Sequence, residues 1–258
     1  VALNDWERPK DGIHWLHAEP DDTPASLRQA AFEEIIQAYD AVIFVDSDDV
    51  LLPNRVSAAK YYLRLCDIYG CALNLIDTLG TDLMLTLTAP TTDYAALLSR
   101  YNIFGLSNTA YRTETLAKCL PFSADTVLVD WLLVSRALQE RAELFFDQTP
   151  HMLYRQYASN TAKVLPPYSA GEIQKATALV LQHYERLEEG NRREGEEGKL
   201  QVAVKERWLK VQQFSASIAD SDVLARYTKA LNALKTVFLW WECVANEELR
   251  GIWDIGVR

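Results

Sequence analysis

The sequence predicts an α/β fold in which a mostly parallel sheet is flanked by helices, followed by an all-helical C-terminal extension. Two observations predict it. Strand and helix signals alternate through about the first 165 residues, as they do where helices connect the strands of a sheet. From Pro166 onward helical periodicity dominates, over residues 170–189, 199–217 and 221–248. We therefore expect two domains, residues 1–165 and 166–258.

The local signals of the first part place its helices and strands. Thr23 followed by Pro24 is typical of a helix start, with a capping residue and then proline at the first helical position. A second helix is predicted from Pro53 toward Tyr69, with Gly70 as its C-terminal cap. Runs of apolar and β-prone residues predict short strands. They cover residues 1–3, 13–17, 41–45, 71–76 and 83–88.

The last predicted helix carries apolar side chains at alternating spacings of three and four, which is an a/d seam. These are Leu224, Tyr227, Leu231, Leu234, Phe238 and Trp241. Such a seam is explained either by packing within the C-terminal helical layer or by a homodimer formed through these helices.

Composition excludes several classes of protein. The formal charge of −10 argues against a general surface for nucleic acid or anionic membranes. With 49% hydrophobic and 24% charged residues the composition is that of an ordinary globular domain, and no apolar run reaches the length of a membrane span. The four cysteines lack zinc-site spacing, so we expect free buried thiols and a cytoplasmic location.

Three carboxylates follow the most apolar predicted strand, Ala41–Val45. They are Asp46, Asp48 and Asp49. Ligands of open α/β sheets gather where strands end, and clustered carboxylates repel one another unless a cation lies between them. Oxygen ligands suit a hard divalent cation, which usually also contacts a phosphate. The alternative is an acidic strand-to-helix turn with Asp as a helix cap.

Further motifs accompany this acidic turn in a fixed order. Arg28, in the helical segment Leu27–Phe32, precedes Asp46 by eighteen residues. Three segments follow: Asn102–Arg112, Val129–Leu133 and Tyr154–Tyr157. In this order and at these distances the set resembles GT-A fold glycosyltransferases, most closely those of family 2, over about residues 1–165.

The resemblance implies roles for the residues of the nucleotide side. Asp5 matches the acidic residue that bonds the uracil edge of the donor, and Arg28 the arginine near the nucleotide phosphates. Asp46 and Asp48 match the D-x-D pair, the first near the ribose and the second on Mn²⁺ or Mg²⁺. Asp49 is implied as a further support of that cation through water.

The resemblance also implies the reaction. A sugar would pass from a nucleotide-diphosphate sugar, with UDP as the expected nucleotide, to the hydroxyl of an unknown acceptor, with inversion. Asp130 matches the carboxylate that deprotonates this hydroxyl. Asp130 also stands where a helix is predicted to begin, so the alternative role is that of a capping residue.

Two other functions use the same residues. An Asp-x-Asp after an apolar strand also resembles the first motif of haloacid-dehalogenase-like phosphatases, in which Asp46 would be the nucleophile. That chemistry needs a downstream lysine and a second pair of carboxylates, which the sequence does not show. A non-catalytic nucleotide-sugar-binding relative of the same fold is the stronger alternative.

Overall fold

The computed structural model describes residues 14–157, 160–189 and 198–254. In this part of the chain the strands are β1 (Ala41–Ile43), β2 (Val50–Leu51), β3 (Ile68–Ile76), β4 (Asp82–Leu87), β5 (Thr109–Arg112) and β6 (Leu144–Arg155). The α-helices are α1 (Pro24–Ala38), α2 (Arg55–Tyr62), α3 (Tyr94–Leu98), α4 (Thr113–Cys119), α5 (Val129–Gln139), α6 (Ala170–Glu189), α7 (Lys199–Ser217), α8 (Ser221–Ala233) and α9 (Arg250–Trp253). The predicted α/β architecture, a sheet flanked by helices, is confirmed.

The sheet is mixed, which corrects the prediction that it is mostly parallel. Its strand order is β1-β5-β3-β6-β2, with β4 paired to β3. Of the pairs in the described residues, β3 and β6 are parallel and the other four are antiparallel. Since β5 lies antiparallel between β1 and β3, these two strands do share one direction. The turn 77–81 between β3 and β4 is too short for a parallel crossover, so these strands form a hairpin.

Helix α1 begins as the sequence predicts and lies beside β1. The Thr23 hydroxyl accepts the N–H of Ser26 at 3.1 Å, the Ser26 hydroxyl accepts the N–H of Thr23 at 2.9 Å, and Pro24 follows. Phe32 is buried and its ring lies 4.9 Å from that of Phe44, just after β1. Arg28 is one turn before Phe32 and therefore shares its side of the helix. This packing brings Arg28 to the end of β1.

Two predictions near the start of the sheet are wrong. Residues 14–17 form no strand, and α2 ends at Tyr62 rather than near Tyr69. Gly70 is not a helix cap but lies inside the buried strand β3. A Cβ at Gly70 would lie 2.7 Å from Cδ1 of Phe104, so this glycine allows close packing across the sheet. The predicted strand at residues 1–3 lies outside the described residues.

The C-terminal helices α6 and α7 have the predicted bounds, whereas the third helix ends fifteen residues early. It stops at Ala233, and Lys235, Trp241 and Ala245 have positive φ angles of 50°, 74° and 44°, which a helix does not allow. The prediction of one continuous helical seam is therefore wrong after Ala233. Its members Leu224, Tyr227, Leu231, Phe238 and Trp241 are buried within the chain, so they are not free to form a dimer contact.

The C-terminal helical layer packs on helices of the first part of the chain. The ring of Trp131 in α5 stacks on His183 in α6 at 4.1 Å, and the hydroxyl of Tyr184 donates to the carbonyl of Ser99 at 2.9 Å. The division at residue 165 stays a prediction. No helix among the described residues is both long and apolar enough to cross a bilayer.

Candidate active site

A cleft of about 870 Å³ opens where β1 ends. Its wall combines the acidic turn, the start of α1, the segments before β5 and α5, the end of β6 and the C-terminal segment. Four residues predicted for the site line it together: Arg28, Asp46, Asp48 and Asp130. Asp49 is also predicted for the site but lies outside this lining. Asp5 is not among the described residues.

Asp46 is held in place by Ser107, a residue of the loop before β5. The backbone N–H of Asp46 donates to the Ser107 hydroxyl at 2.8 Å, and that hydroxyl donates to Oδ2 of Asp46 at 3.0 Å. The N–H of Asp49 donates to the carbonyl of Asp46 at 3.1 Å and closes the acidic turn. Asp46 is therefore oriented by a neighbour 61 residues away, which no local pattern could indicate.

Arg28 provides the positive charge of the cleft. Its Nη2 lies 3.8 Å from Oδ1 of Asp46, and both side chains are about 40% exposed. An ion pair this exposed adds little to folding stability. Arg28 is the lone lysine or arginine in the described lining, so an anionic ligand entering the cleft meets this guanidinium.

Asp48 and Asp49 face different surroundings. The exposed Asp48 lines the cleft, while Oδ1 of Asp49 accepts the N–H of Arg155 at 3.0 Å and its Oδ2 is buried without a partner. Burial raises the pKa of Asp49 to about 6. The Arg155 side chain donates from Nε to the carbonyl of Asp48 at 2.9 Å and from Nη1 to that of Asp77 at 3.2 Å. Arg155 thus ties the acidic turn to the β3–β4 hairpin.

The oxygen donors at the cleft suit a divalent cation only together with a ligand. Among the residues the structure describes, no three His, Cys, Asp or Glu side chains are grouped to hold a metal. Mg²⁺ is commonly held by one or two carboxylates plus substrate phosphates. The exposed carboxylate of Asp48 fits that arrangement, whereas the carboxylate of Asp49 is turned toward β6.

Asp130 lies in the first turn of α5 and has a perturbed acidity. Its Oδ1 accepts the N–H of Trp131 at 2.8 Å, and its Oδ2 accepts Nδ2 of Asn102 at 3.1 Å. Burial and, less strongly, Asp46 raise the pKa of Asp130, while the two hydrogen bonds and Arg28 lower it, and the net value is about 6. Asp130 therefore lies close enough to Arg28 and Asp46 for their charges to shift its pKa. A carboxylate with this pKa can exchange a proton near neutral pH.

Several residues of the site carried no predicted role. Asn102 and Ser107 belong to a segment that the family resemblance includes, and the resemblance assigns them nothing. Trp240 and Trp241 line the cleft from the segment that the sequence predicts as helix. Tyr154 lines it beside them, and its hydroxyl accepts Nε1 of Trp240 at 3.3 Å. The break of the helix after Ala233 brings these indoles to the site.

Comparison with known proteins gives a resemblance to solved structures only. No protein-family model and no curated protein match the sequence. The chain is similar to TarS 1–349 of S. aureus in complex with UDP-GlcNAc, with a TM-score of 0.48 and 18% identity over 82% of this chain and 60% of that one. The chain is also similar to a second structure, that of S. aureus TarS 1–349, with a TM-score of 0.46 and 16% identity over 89% of this chain and 63% of that one. The chain spans about 60% of the length of these structures, and likeness at this level assigns no activity.

Proposed function

We propose that this chain is a glycosyltransferase that moves a sugar from a nucleotide-diphosphate sugar to an acceptor hydroxyl, with inversion and with a divalent cation. The expected nucleotide is UDP. One observation carries the proposal: Asp130, a half-buried carboxylate with a pKa of about 6, faces the same cleft as Arg28, Asp46 and Asp48. A base and a phosphate-binding group are thereby present in one cleft.

The acidic turn and Arg28 form the donor side. Asp48 would contact Mn²⁺ or Mg²⁺, and Arg28 would bind a phosphate oxygen by a charge-assisted hydrogen bond. When bound, the cation supplies Lewis-acid stabilisation of the leaving diphosphate. Asp46, whose carboxylate is oriented by Ser107, would accept hydrogen bonds from the ribose. Asp49 would act by holding the turn against β6.

Asp130 forms the acceptor side. The acceptor hydroxyl transfers its proton to the Asp130 carboxylate, its oxygen bonds to the anomeric carbon, and the bond from that carbon to the diphosphate oxygen breaks. Attack from the side opposite the diphosphate inverts the anomeric centre. The hydrogen bonds from Trp131 and Asn102 hold the carboxylate for this step.

Two alternative functions, a phosphatase and a non-catalytic nucleotide-sugar-binding relative, make different demands on this cleft. A phosphatase of the haloacid-dehalogenase type would need a lysine near Asp46, and the described cleft lining contains none. A non-catalytic relative would bind the nucleotide but cleave no donor. Donor cleavage by the wild-type chain therefore distinguishes an enzyme from such a relative.

Nucleotide binding should be dependent on the metal and on Asp48. UDP with Mn²⁺ should raise the melting temperature, and at about 100 times the Kd the gain corresponds to about 2.7 kcal/mol of stability. EDTA or the change Asp48→Asn should remove most of this gain, because the diphosphate then loses its bridge to the protein. Asp40→Asn, an exposed carboxylate outside the cleft, is the matched control. If no nucleoside diphosphate shifts the melting temperature in a metal-dependent way, the proposal is wrong.

The transfer rate should fall in acid with the titration of one group. Asp130 must be ionised to accept a proton, so kcat/KM should decline below about pH 6 with unit slope. The stability contribution has the opposite sign: since the folded pKa is raised, it is fully present below the usual Asp pKa near 4 and is lost as pH rises through about 6. Asp49→Asn should leave the acid limb in place, and its disappearance in that variant would assign the limb to Asp49.

A further inference from the structure

Asn102 contacts both the proposed base and the C-terminal segment, although it does not line the cleft. Its side chain is fully buried. Oδ1 accepts the N–H of Phe104 at 2.9 Å, while Nδ2 donates to the carbonyl of Phe104 at 3.1 Å and to Oδ2 of Asp130 at 3.1 Å. Only the amide oxygen can accept the N–H of Phe104, so the orientation of the amide is determined. Its NH₂ group must therefore point at Asp130.

The backbone of Asn102 is held by the segment after α8. Its N–H donates to the carbonyl of Trp240 at 3.1 Å, an isolated antiparallel bridge. Trp240 is in turn anchored, since Nε1 donates to the hydroxyl of Tyr154 and the two rings meet edge to face at 5.3 Å. A Cβ at Gly105 would lie 2.9 Å from Cη2 of Trp240, so the indole packs tightly on the same loop. The C-terminal segment thus sets the position of Asn102.

We propose that Asn102 is a positioning residue for sugar transfer, which orients the Asp130 carboxylate and is itself held in place by Trp240. This inference rests on the proposed function in taking Asp130 as the base. With Trp131 donating to Oδ1 and Asn102 to Oδ2, both oxygens of Asp130 are directed by fixed donors. The carboxylate plane is then determined before a substrate arrives, which is the condition for an efficient proton transfer.

Charged and titratable groups from several elements surround Asp130, and they affect its pKa together with Asn102. Arg28 from α1 lowers the pKa of Asp130 and Asp46 from the acidic turn raises it. Tyr111 from β5 and Tyr154 from β6 also interact with Asp130, and burial raises the pKa of both, so they stay neutral at pH 7. The hydrogen bond from Asn102 favours the ionised carboxylate. Its removal should raise the pKa of Asp130 further.

The variants Asn102→Ser and Asn102→Asp test the inference. We expect kcat to fall about 100-fold with KM for the nucleotide sugar changed by less than about threefold, because the reacting groups are misaligned while the donor contacts remain. The acid limb of the pH profile should move to higher pH in both, and further in Asn102→Asp. Unchanged kcat, or a loss confined to KM with the limb in place, would overturn the proposal.

Asn232 offers a matched control for a purely structural effect. Its side chain also bridges the N–H and the carbonyl of one residue, Tyr168, at 2.6 and 2.8 Å, and contacts no group of the site. Asn232→Ser should therefore lose stability without moving the acid limb. If it moves the limb as Asn102→Ser does, the effect of Asn102 is one of folding and the inference is overturned.

A carboxyl ¹³C NMR titration of Asp130 separates this inference from the proposed function, because it needs no turnover. If the wild-type chain transfers no sugar, the function fails, yet the Asp130 titration should still move to higher pH in Asn102→Ser; an unchanged titration would overturn the positioning role. Should the variants not fold, the wild type decides. Its Asn102 side-chain NH₂ resonances should titrate with Asp130, and a lack of any response would refute the contact.

Discussion

The change Asp130→Asn should abolish sugar transfer while leaving metal-dependent nucleotide binding intact. An amide is similar in size to the carboxylate but cannot accept the proton of the acceptor hydroxyl, and loss of a general base costs about 100- to 10,000-fold in rate. The change leaves the side chains of Arg28, Asp46 and Asp48 in the cleft lining untouched, so we expect nucleotide binding to persist. The measurement is kcat for transfer, alongside the shift in melting temperature with UDP and Mn²⁺.

The variant also has a structural cost that must be measured. In the wild type, Asn102 directs its NH₂ group at Oδ2 of Asp130, and Oδ1 accepts the N–H of Trp131. If the amide oxygen of the variant keeps the contact with Trp131, its NH₂ group faces the NH₂ group of Asn102. An unmatched buried donor costs about 1–3 kcal/mol, to be determined by urea unfolding. Asp40→Asn should retain full rate and stability. Transfer within tenfold of wild type would exclude Asp130 as the base, whereas a wild-type chain that binds UDP but cleaves no donor would be the non-catalytic relative.

The change Trp131→Ala should destabilise the chain by about 3–5 kcal/mol, the usual range for truncating a fully buried tryptophan. Trp131 has no exposed surface, stacks on His183 of α6, and donates from Nε1 to the carbonyl of Leu98 in α3 at 2.8 Å. One side chain thus joins α3, α5 and α6. Its loss leaves both a cavity and an unpaired carbonyl, which urea denaturation should report as a lower midpoint.

Two variants calibrate this result. Trp131→Phe keeps much of the ring contact but not the hydrogen bond, so its loss should be smaller. Tyr61→Ala removes an aromatic ring that is 59% exposed on α2 and should cost less than about 1 kcal/mol. If Trp131→Ala costs no more than Tyr61→Ala, the helical layer is not anchored through this residue.

Local signals predicted the elements whose ends are coded locally. Thr23 and Pro24 begin α1 because the cap and the ring act on their own turn. The third C-terminal helix was predicted too long, because its apolar periodicity continues past Ala233 whereas the helical backbone ends there. Periodic apolar residues indicate which side chains are buried, and all seam residues but Leu234 are buried. An irregular segment packed on the core buries its apolar side chains equally well.

The sheet shows the same limit. Alternating strands and helices predicted that β1 and β3 share one direction, which they do, but could not show that β5 inserts antiparallel between them. Pairing is decided by hydrogen bonds between distant segments, and a strand has the same local pattern in either direction.

The sequence by itself determined the acidic turn, the helix that carries Arg28 and the place of Asp130 at the start of α5. These depend on short-range signals: an apolar run that ends in carboxylates, a helix cap, and an acidic residue in a first turn. Only the tertiary structure decided that Ser107 orients Asp46, that Arg155 holds Asp49, and that Asn102 joins Asp130 to Trp240. The donor and acceptor in each of these contacts are 28 to 138 residues apart, and their pairing arises only when the chain packs.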